Sequence, residues 1–365
     1  MLKSITLQNF KSFGQRQTVY LEPITVLVGP NNSGKSSFLS VAKFIANCAL
    51  MGFGKVEEQE GGVENIIHRP AVDGNEVFLG WETDTGNYEV TLAAKLDQLN
   101  VRQGGMKQAD GIPIATEQEG TAPFTLLSTM AREKMAKGKR VDTDSIWVPL
   151  VLSRFIHLSL EVLREDSQFV PEPRLTGSGA NLASVLALWR SAYPEKTNQL
   201  DGFLRQCLPE LKFILAQPSP RHGLQRLWVE QSNGQRFDAQ HISEGVLSFI
   251  ALAMHIIDAG PGSLILIEEP ERSIHPQRLY SLVEFMRRAV HEHQCQFILS
   301  THSRVLLDNF RDEPEAIVLF RRSDTPDQST LVRRLADLPE LAENLSRSPP
   351  GEMLETGFFT RPFES

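Results

Sequence analysis

One stretch decides the fold of this chain: Gly29-Pro30-Asn31-Asn32-Ser33-Gly34-Lys35-Ser36. It follows an apolar run of strand-forming residues, Ile24-Thr25-Val26-Leu27-Val28, and a helical pattern begins directly after it. In a G-x-x-x-x-G-K-S loop, the glycines let backbone N–H groups turn toward phosphate oxygens, and the helix adds the positive end of its dipole. The stretch therefore predicts a phosphate loop that binds a nucleoside triphosphate.

The side chains of this loop have expected roles. Lys35 is expected to reach the β- and γ-phosphates, and the hydroxyl of Ser36 is expected to ligate Mg²⁺. ATP and Mg²⁺ are therefore the expected cofactors. The residues expected to contact the nucleotide are Gly29, Pro30, Asn31, Asn32, Ser33, Gly34, Lys35, Ser36 and Ser37.

The composition predicts a soluble cytoplasmic protein. The 365 residues are 41% hydrophobic and 22% charged, as is typical of a globular chain. The most apolar stretch, Val246 to Ile257, is too short to span a bilayer, and no signal peptide is expected. The net charge of −8 argues against a surface coated in nucleic acid, although it leaves room for a local basic groove. The cysteines lack metal or redox spacing and are expected to be buried thiols: Cys48, Cys207 and Cys295.

A second motif carries two carboxylates. The run Leu264-Ile265-Leu266-Ile267 predicts a central strand buried on both faces, and Glu268-Glu269 ends it. Carboxylates at the carboxyl end of such a strand lie where α/β sheets bind ligands. Glu268 is expected to hold Mg²⁺, and Glu269 to orient and deprotonate the attacking water. The alternative is an exposed acidic turn after a core strand.

A third motif places a histidine after another buried strand. Phe297-Ile298-Leu299 leads into Ser300-Thr301-His302-Ser303. His302 is expected to donate a hydrogen bond to the γ-phosphate or to the attacking water. A structural or capping histidine is the alternative.

A fourth motif, Ser243-Glu244-Gly245, precedes the helical run that starts at Val246. Serine is a good N-cap, and the first turn of the helix offers N–H groups to an anion. By itself the motif is also compatible with an ordinary helix cap.

The order of these motifs indicates a split nucleotide domain. Residues 1–50 and 225–345 are predicted to form the ATPase domain, and 51–224 an inserted mixed α/β lobe. Within this lobe, Gly52 to Gly62 and about 102–145 are expected to be surface segments, helices are expected at about 180–210, and 346–365 form a C-terminal tail. The predicted fold is α/β, with a mixed sheet flanked by helices.

This order of motifs resembles the ATP-binding-cassette-like (ABC-like) ATPases of the RecF, SMC and OLD type, and in particular their compact AAA-labelled bacterial members. Further similarity lies in Ile5-Thr6-Leu7-Gln8-Asn9-Phe10-Lys11-Ser12-Phe13 and in Ile267-Glu268-Glu269-Pro270-Glu271 with Ile274-His275-Pro276. The resemblance implies a P-loop ATPase of the ABC type. It further implies that Ser243, Glu244 and Gly245 form a signature motif that serves the ATP of a second subunit in a head-to-tail dimer.

Some residues depart from the family pattern. The metal position is Glu268 where cassette ATPases usually have Asp. The signature is Ile-Ser-Glu-Gly, whereas transporters have Leu-Ser-Gly-Gly. The glutamine that usually links the two lobes is not evident, and Gln59 and His68 are weak candidates for its role.

The resemblance implies an ATP-hydrolysing homodimer, or a higher oligomer, that senses nucleic acid or phage invasion. In this interpretation it controls a separately encoded effector, a nuclease, as in anti-phage defence. A RecF-like repair ATPase that binds DNA is the alternative, and its support is a basic run: Arg132, Lys134, Lys137, Lys139 and Arg140. The energy subunit of a transporter is the third candidate, and the non-transporter signature argues against it.

Overall fold

The computed structural model describes residues 1–69, 76–95, 98–116, 146, 148–151, 153–169, 174–345 and 348–363. The chain forms two compact units. Unit 1 contains Met1–Ser153, Gly262–Leu266 and Gln296–Ser365, and unit 2 contains Arg154–Pro261 and Ile267–Cys295. This division differs from the predicted one, because residues of the predicted lobe 51–224 occur in both units.

The strands of the described residues follow in chain order: β1 Leu2–Gln8, β2 Gln17–Tyr20, β3 Ile24–Val28, β4 Glu76–Thr83, β5 Gly86–Lys95, β6 Gln98–Gln108, β7 Pro113–Thr116, β8 Arg154–Ile156, β9 Ser167–Gln168, β10 Leu211–Pro218, β11 Leu224–Gln231, β12 Arg236–Asp238, β13 Leu264–Glu268, β14 Gln296–Thr301, β15 Ile317–Arg322 and β16 Thr330–Arg334.

The α-helices of the same residues are α1 Lys35–Met51, α2 Phe53–Glu60, α3 Val148–Val151, α4 Leu160–Leu163, α5 Leu182–Ala192, α6 Pro194–Cys207, α7 Glu244–Asp258, α8 Pro276–His293, α9 Arg304–Asp308, α10 Pro339–Asn344 and α11 Pro350–Glu355. Short 3₁₀ turns occupy Val63–Asn65, Pro314–Ala316, Leu335–Asp337 and Phe358–Phe363.

A mixed sheet forms the core of unit 1, with its strands in the order β16-β15-β3-β14-β13. β3 runs parallel to β14 and to β15, whereas β15 and β16 are antiparallel. Every residue of β3 and β14 is buried, which confirms the predicted central strands. β13 begins in this unit and ends with Ile267 and Glu268 in unit 2.

An antiparallel sheet of unit 1 has the strand order β2-β1-β4-β5-β6-β7. β1 pairs with β2 on one side and with β4 on the other. Buried residues from β1, β4 and β5 form its core: Leu2, Ile5, Leu7, Val77, Leu79, Trp81, Tyr88, Val90 and Leu92.

Two segments expected to be irregular at the surface are regular. Residues 102–116 include most of β6 and all of β7, and both strands extend the antiparallel sheet. The glycines there favoured a loop, yet Gly104 lies so close to Glu89 and Val90 that a side chain would crowd the neighbouring strand. Residues 53–60 form α2, whose Phe53 and Val56 are buried one helical turn apart. The basic run 132–140 and the rest of the predicted insertion lie outside the described residues.

Unit 2 contains the predicted helices α5 and α6 and a small antiparallel sheet with the order β10-β11-β12, whose β11 also pairs with β9. Pro194 occupies the first turn of α6, where its missing N–H breaks no hydrogen bond. Helix α7 crosses the interior of this unit, since every residue from Leu247 to Ile257 is buried.

Candidate functional site

The phosphate loop lies between β3 and α1, as predicted. Asn32 and Gly34 have φ angles of 61° and 106°, so both adopt the left-handed backbone that turns the loop into the helix. A Cβ at Gly34 would collide with the hydroxyl of Thr330. Glycine is therefore required here both by backbone conformation and by space.

Lys35 is held inside the mouth of this loop. Its ammonium Nζ donates hydrogen bonds to the carbonyl oxygens of Gly29 at 2.8 Å and Pro30 at 2.9 Å, and the residue is only 7% exposed. Neutral carbonyls stabilise an ammonium less than an anion does. An arriving phosphate oxygen can therefore replace them as the partner of Lys35.

Residues far from the loop in sequence support its shape. The hydroxyl of Thr330 donates to Ser33 O at 3.0 Å and contacts Ser12 Oγ at 2.8 Å. Arg322 Nε donates to Asn32 O at 2.8 Å. Sequence reasoning missed these partners. The β15–β16 hairpin thus braces the loop through polar contacts.

His302 follows β14 at the same sheet edge as the loop. β3 and β14 are parallel with Val28 opposite Thr301, so Gly29 and His302 directly follow paired residues. The hydroxyl of Ser303 accepts a hydrogen bond from Leu306 N and caps α9. The helix cap therefore belongs to Ser303, and His302 is exposed.

The two candidates for the residue that links the two lobes, Gln59 and His68, have the following surroundings. Gln59 is exposed on α2. His68 is 2% exposed, and its ring nitrogens lie 2.8 Å from Lys11 O and 3.1 Å from Asp327 O. His68 therefore braces the backbone of unit 1.

The carboxylate pair lies in unit 2, at the wall of a cavity of about 200 Å³. Glu268 Oε2 lies 3.0 Å from Nδ1 of His157, a residue that sequence reasoning missed. Glu269 has a φ of 47°, an unusual conformation for a residue with a side chain. Such backbone strain costs about 1–3 kcal/mol and is concentrated at functional sites. The other residues of this cavity are Ile156, Leu158, Leu160, Ser248, Leu252, Ile267, Pro270 and Arg272.

The carboxylates fit Mg²⁺ as a hard cation that prefers oxygen ligands. Among the described residues, no group of three or more His, Cys, Asp and Glu side chains could hold a metal ion. Mg²⁺ in phosphoryl transfer is usually bound by one or two protein oxygens together with the phosphates, so Glu268 fits this mode better than a protein cage.

The signature residues lie at the start of α7, also in unit 2. Ser243 occupies the N-cap position, yet its hydroxyl makes no capping hydrogen bond to any described residue, and the residue is exposed. A Cβ at Gly245 would collide with the carbonyl oxygen of Ser273, whose own φ is 65°. Glycine thus permits the segment after Glu269 to pack directly on this helix.

A cavity of about 310 Å³ opens beside Ser243. His241 lies on its wall, and its Nδ1 is 2.6 Å from Asp238 Oδ1. Arg226 lies 3.3 Å from Asp238 and makes two further bonds, of 2.6 and 2.9 Å, to Asp166. Hydrogen bonding from Arg226 lowers the pKa of Asp166. These contacts fix the loop that precedes the signature residues.

The segment Glu271 to Pro276 ends at the start of α8. Ile274 is buried, and the ring of His275 accepts a hydrogen bond from Gln277 N at 3.3 Å. His275 is therefore the cap of α8.

No helix among the described residues is long and apolar enough to cross a membrane.

Two family models match this chain. Residues 125–308 match the model described as "AAA domain, putative AbiEii toxin, Type IV TA system". Residues 1–107 match the model described as "AAA ATPase domain".

A curated relative and several solved structures are similar over most of the chain. An OLD nuclease of Thermus scotoductus is 21% identical over 345 residues, which is 89% of this chain and 63% of that protein. An SMC head bound to the C-winged helix domain of ScpA superposes with a TM-score of 0.55 at 13% identity, covering 93% of this chain and 99% of that one. The SMC head domain from Thermotoga maritima gives 0.51 at 13% identity, covering 91% and 98%.

The SMC heads show the fold, and the first family model covers half of the chain. The chain accordingly belongs to the AAA-domain family of that model, and the similarities to an OLD nuclease and to SMC heads support an ATPase of the RecF, SMC and OLD type.

Proposed function

We propose that this ATPase binds ATP and Mg²⁺ on the loop Gly29 to Ser36, hydrolyses ATP with Glu269 as the base, and works as a head-to-tail dimer. The observation that carries the proposal is the loop itself. Its left-handed Gly34 precedes a 17-residue helix, and Lys35 is held at its mouth by exchangeable carbonyl partners.

In this mechanism Lys35 leaves Gly29 O and Pro30 O and pairs with the β- and γ-phosphate oxygens. The N–H groups of the loop and the N-terminus of α1 stabilise the remaining phosphate charge. Ser36 and Glu268 would hold Mg²⁺, which would supply positive charge against the charge that develops on the phosphates. Glu269 orients the attacking water and accepts its proton, while His302 donates a hydrogen bond to the γ-phosphate.

The dimer is proposed from the setting of the signature residues. Ser243 is exposed at the start of a 15-residue helix, and its hydroxyl does not cap that helix. The hydroxyl and the N–H groups beside it therefore suit a phosphate supplied by a second copy of the chain. In the dimer, Ser243, Glu244 and Gly245 of each copy face the ATP of the other.

The biological role we propose is the sensing of invading phage or nucleic acid and the control of a separately encoded effector, a nuclease. The description of the matched family refers to a toxin–antitoxin system, and the curated relative is an OLD nuclease. The chain spans 63% of the length of that nuclease, and in this proposal the nuclease is the separately encoded effector. A solved SMC head that binds a domain of ScpA is a precedent for an ATPase of this fold with a protein partner.

The test is affinity purification of the tagged full chain from its native cells, followed by measurement of ATP turnover and nuclease activity. We expect one specific co-purifying protein whose nuclease activity depends on ATP. If turnover is instead stimulated by DNA without any partner, the effector model is wrong and the DNA-binding alternative is correct.

A further inference from the structure

His157 makes a direct contact with the carboxylate proposed to hold the metal. Its Nδ1 lies 3.0 Å from Glu268 Oε2, across 111 positions of sequence. An ionised carboxylate can only accept hydrogen bonds, so the proton of this contact is on Nδ1. One oxygen of Glu268 is thereby fixed in place.

This contact contributes little to the stability of the fold. His157 is 58% exposed and Glu268 is 20% exposed, and pairs exposed to this extent contribute at most a small stabilisation. The backbone of His157 has its own attachment, since its N–H donates to Gly177 O at 3.1 Å. The place of His157 in the chain therefore does not depend on its ring.

The surroundings of the pair are those of a reaction site. Both residues line the 200 Å³ cavity together with Glu269 and Arg272, while its other walls are mainly apolar. Glu268 itself is only 20% exposed at this wall, so a donor attached to a fixed backbone restricts which way its oxygens face. Outer-shell partners of metal ligands have this effect, and their loss typically costs about tenfold to a hundredfold in metal affinity or activity.

We propose that His157 is a positioning residue for the divalent cation of the ATPase reaction. Its Nδ1–H holds one oxygen of Glu268, so that the carboxylate keeps the orientation in which it binds the ion. This inference rests on the proposed function, and it adds a residue that neither the motifs nor the resemblance indicated.

The experiment titrates Mg²⁺ into the full chain at a saturating concentration of a non-hydrolysable ATP analogue. The readout is the rise of the thermal unfolding midpoint, because a ligand that binds only the folded state stabilises it. We expect His157→Ala to raise the Mg²⁺ concentration for half-maximal stabilisation about tenfold to a hundredfold. The midpoint without nucleotide and metal should stay unchanged.

A conservative variant separates positioning from mere presence of a side chain. The amide of Asn carries its N–H donors close to the position of Nδ1 in His, so His157→Asn should recover most of the Mg²⁺ dependence of the wild type. His293→Ala is the matched control, because it removes a partly exposed histidine beside Glu292 in the same unit. It should behave as the wild type.

The outcomes distinguish the two proposals. If the wild type shows no stabilisation that requires both nucleotide and Mg²⁺, the proposed function fails. If the wild type shows it and His157→Ala has the same half-maximal Mg²⁺ concentration, the positioning role of His157 is refuted. Failure of His157→Asn to recover the wild-type value also contradicts it.

Discussion

His255 makes the folded protein sensitive to acid in a way that can be calculated. It lies on α7, is 1% exposed, and neither of its ring nitrogens has a hydrogen-bond partner among the described residues. Burial, together with the charge of Arg154, lowers the pKa of His255 to about 3, although the charge of Asp258 opposes the shift. The folded protein therefore keeps this ring neutral at pH 5.0 and above.

The size of the effect follows from the difference in proton binding. In the unfolded chain the pKa of a histidine is about 6.5. Between pH 6.5 and 3 the unfolded state binds a proton that the folded state does not, so the free energy of unfolding falls as the pH falls through this range. At about 1.36 kcal/mol per pH unit, acidification from pH 7.5 to 5.0 should cost about 2 kcal/mol.

The assay compares wild type with His255→Leu by hydrogen exchange of the amides of α7 at pH 7.5 and pH 5.0. Local exchange is preferable here, because a chain with two units does not have a single well-defined unfolding free energy. Leu keeps the site apolar and removes two unsatisfied nitrogens, so at pH 7.5 the variant should be at least as protected as the wild type.

At pH 5.0 the variant should gain a further protection of about thirtyfold relative to the wild type, which corresponds to about 2 kcal/mol. His291→Ala, which replaces an exposed residue near the end of α8, should have the same protection relative to the wild type at both pH values. A variant-to-wild-type ratio that is equal at both pH values would refute the assignment of a buried neutral ring.

Three substitutions test the nucleotide site. Lys35→Ala removes a charge-assisted partner of the phosphates and should weaken ATP binding, measured by calorimetry, about tenfold to a hundredfold. Lys55→Ala, on the exposed face of α2, should bind ATP as the wild type does. If Lys35→Ala and the wild type bind ATP equally well, the loop assignment is wrong. Glu269→Gln keeps the shape of the side chain without its basicity, so phosphate release should fall about a hundredfold or more while ATP still binds; near-normal release would assign the base elsewhere. Ser243→Arg should abolish turnover and leave ATP binding intact. The specific activity of the wild type should fall on dilution, because two chains are needed for each active site. Constant specific activity at protein concentrations far below the dimer dissociation constant would contradict such a shared site.

The sequence predicted where those residues of the candidate site lie that are close together in the chain, and their roles stay predictions. β3, the phosphate loop and α1 follow one another, and so do β13 and the two glutamates, so the residue types at fixed spacing were sufficient. β14 and His302 were found for the same reason. In each case a buried strand and a polar residue after it stand within about ten positions.

The missed residues depend on contacts between distant positions. His157 meets Glu268 across 111 positions and Thr330 meets Ser12 across 318, and neither pair has a local pattern. In contrast, α2 carried a signal that could have been used, because Phe53 and Val56 are one helical turn apart and both buried. β6 was missed because its glycines usually indicate loops, whereas Gly104 permits close approach of a neighbouring strand.

Within unit 2, a short segment ties the carboxylate cavity to the signature helix. Glu269 and Ser273 both have left-handed backbones, Arg272 N donates to Glu269 O at 3.0 Å, and the carbonyl of Ser273 packs on Gly245. Ser273 Oγ also contacts Glu244 at 3.5 Å. With so few residues and no space for a side chain at Gly245, the segment has little freedom to absorb a displacement. A change in the backbone of Glu269 should therefore be passed to the residues around Ser243, and in the proposed dimer we expect it to link hydrolysis to the contact with the second subunit.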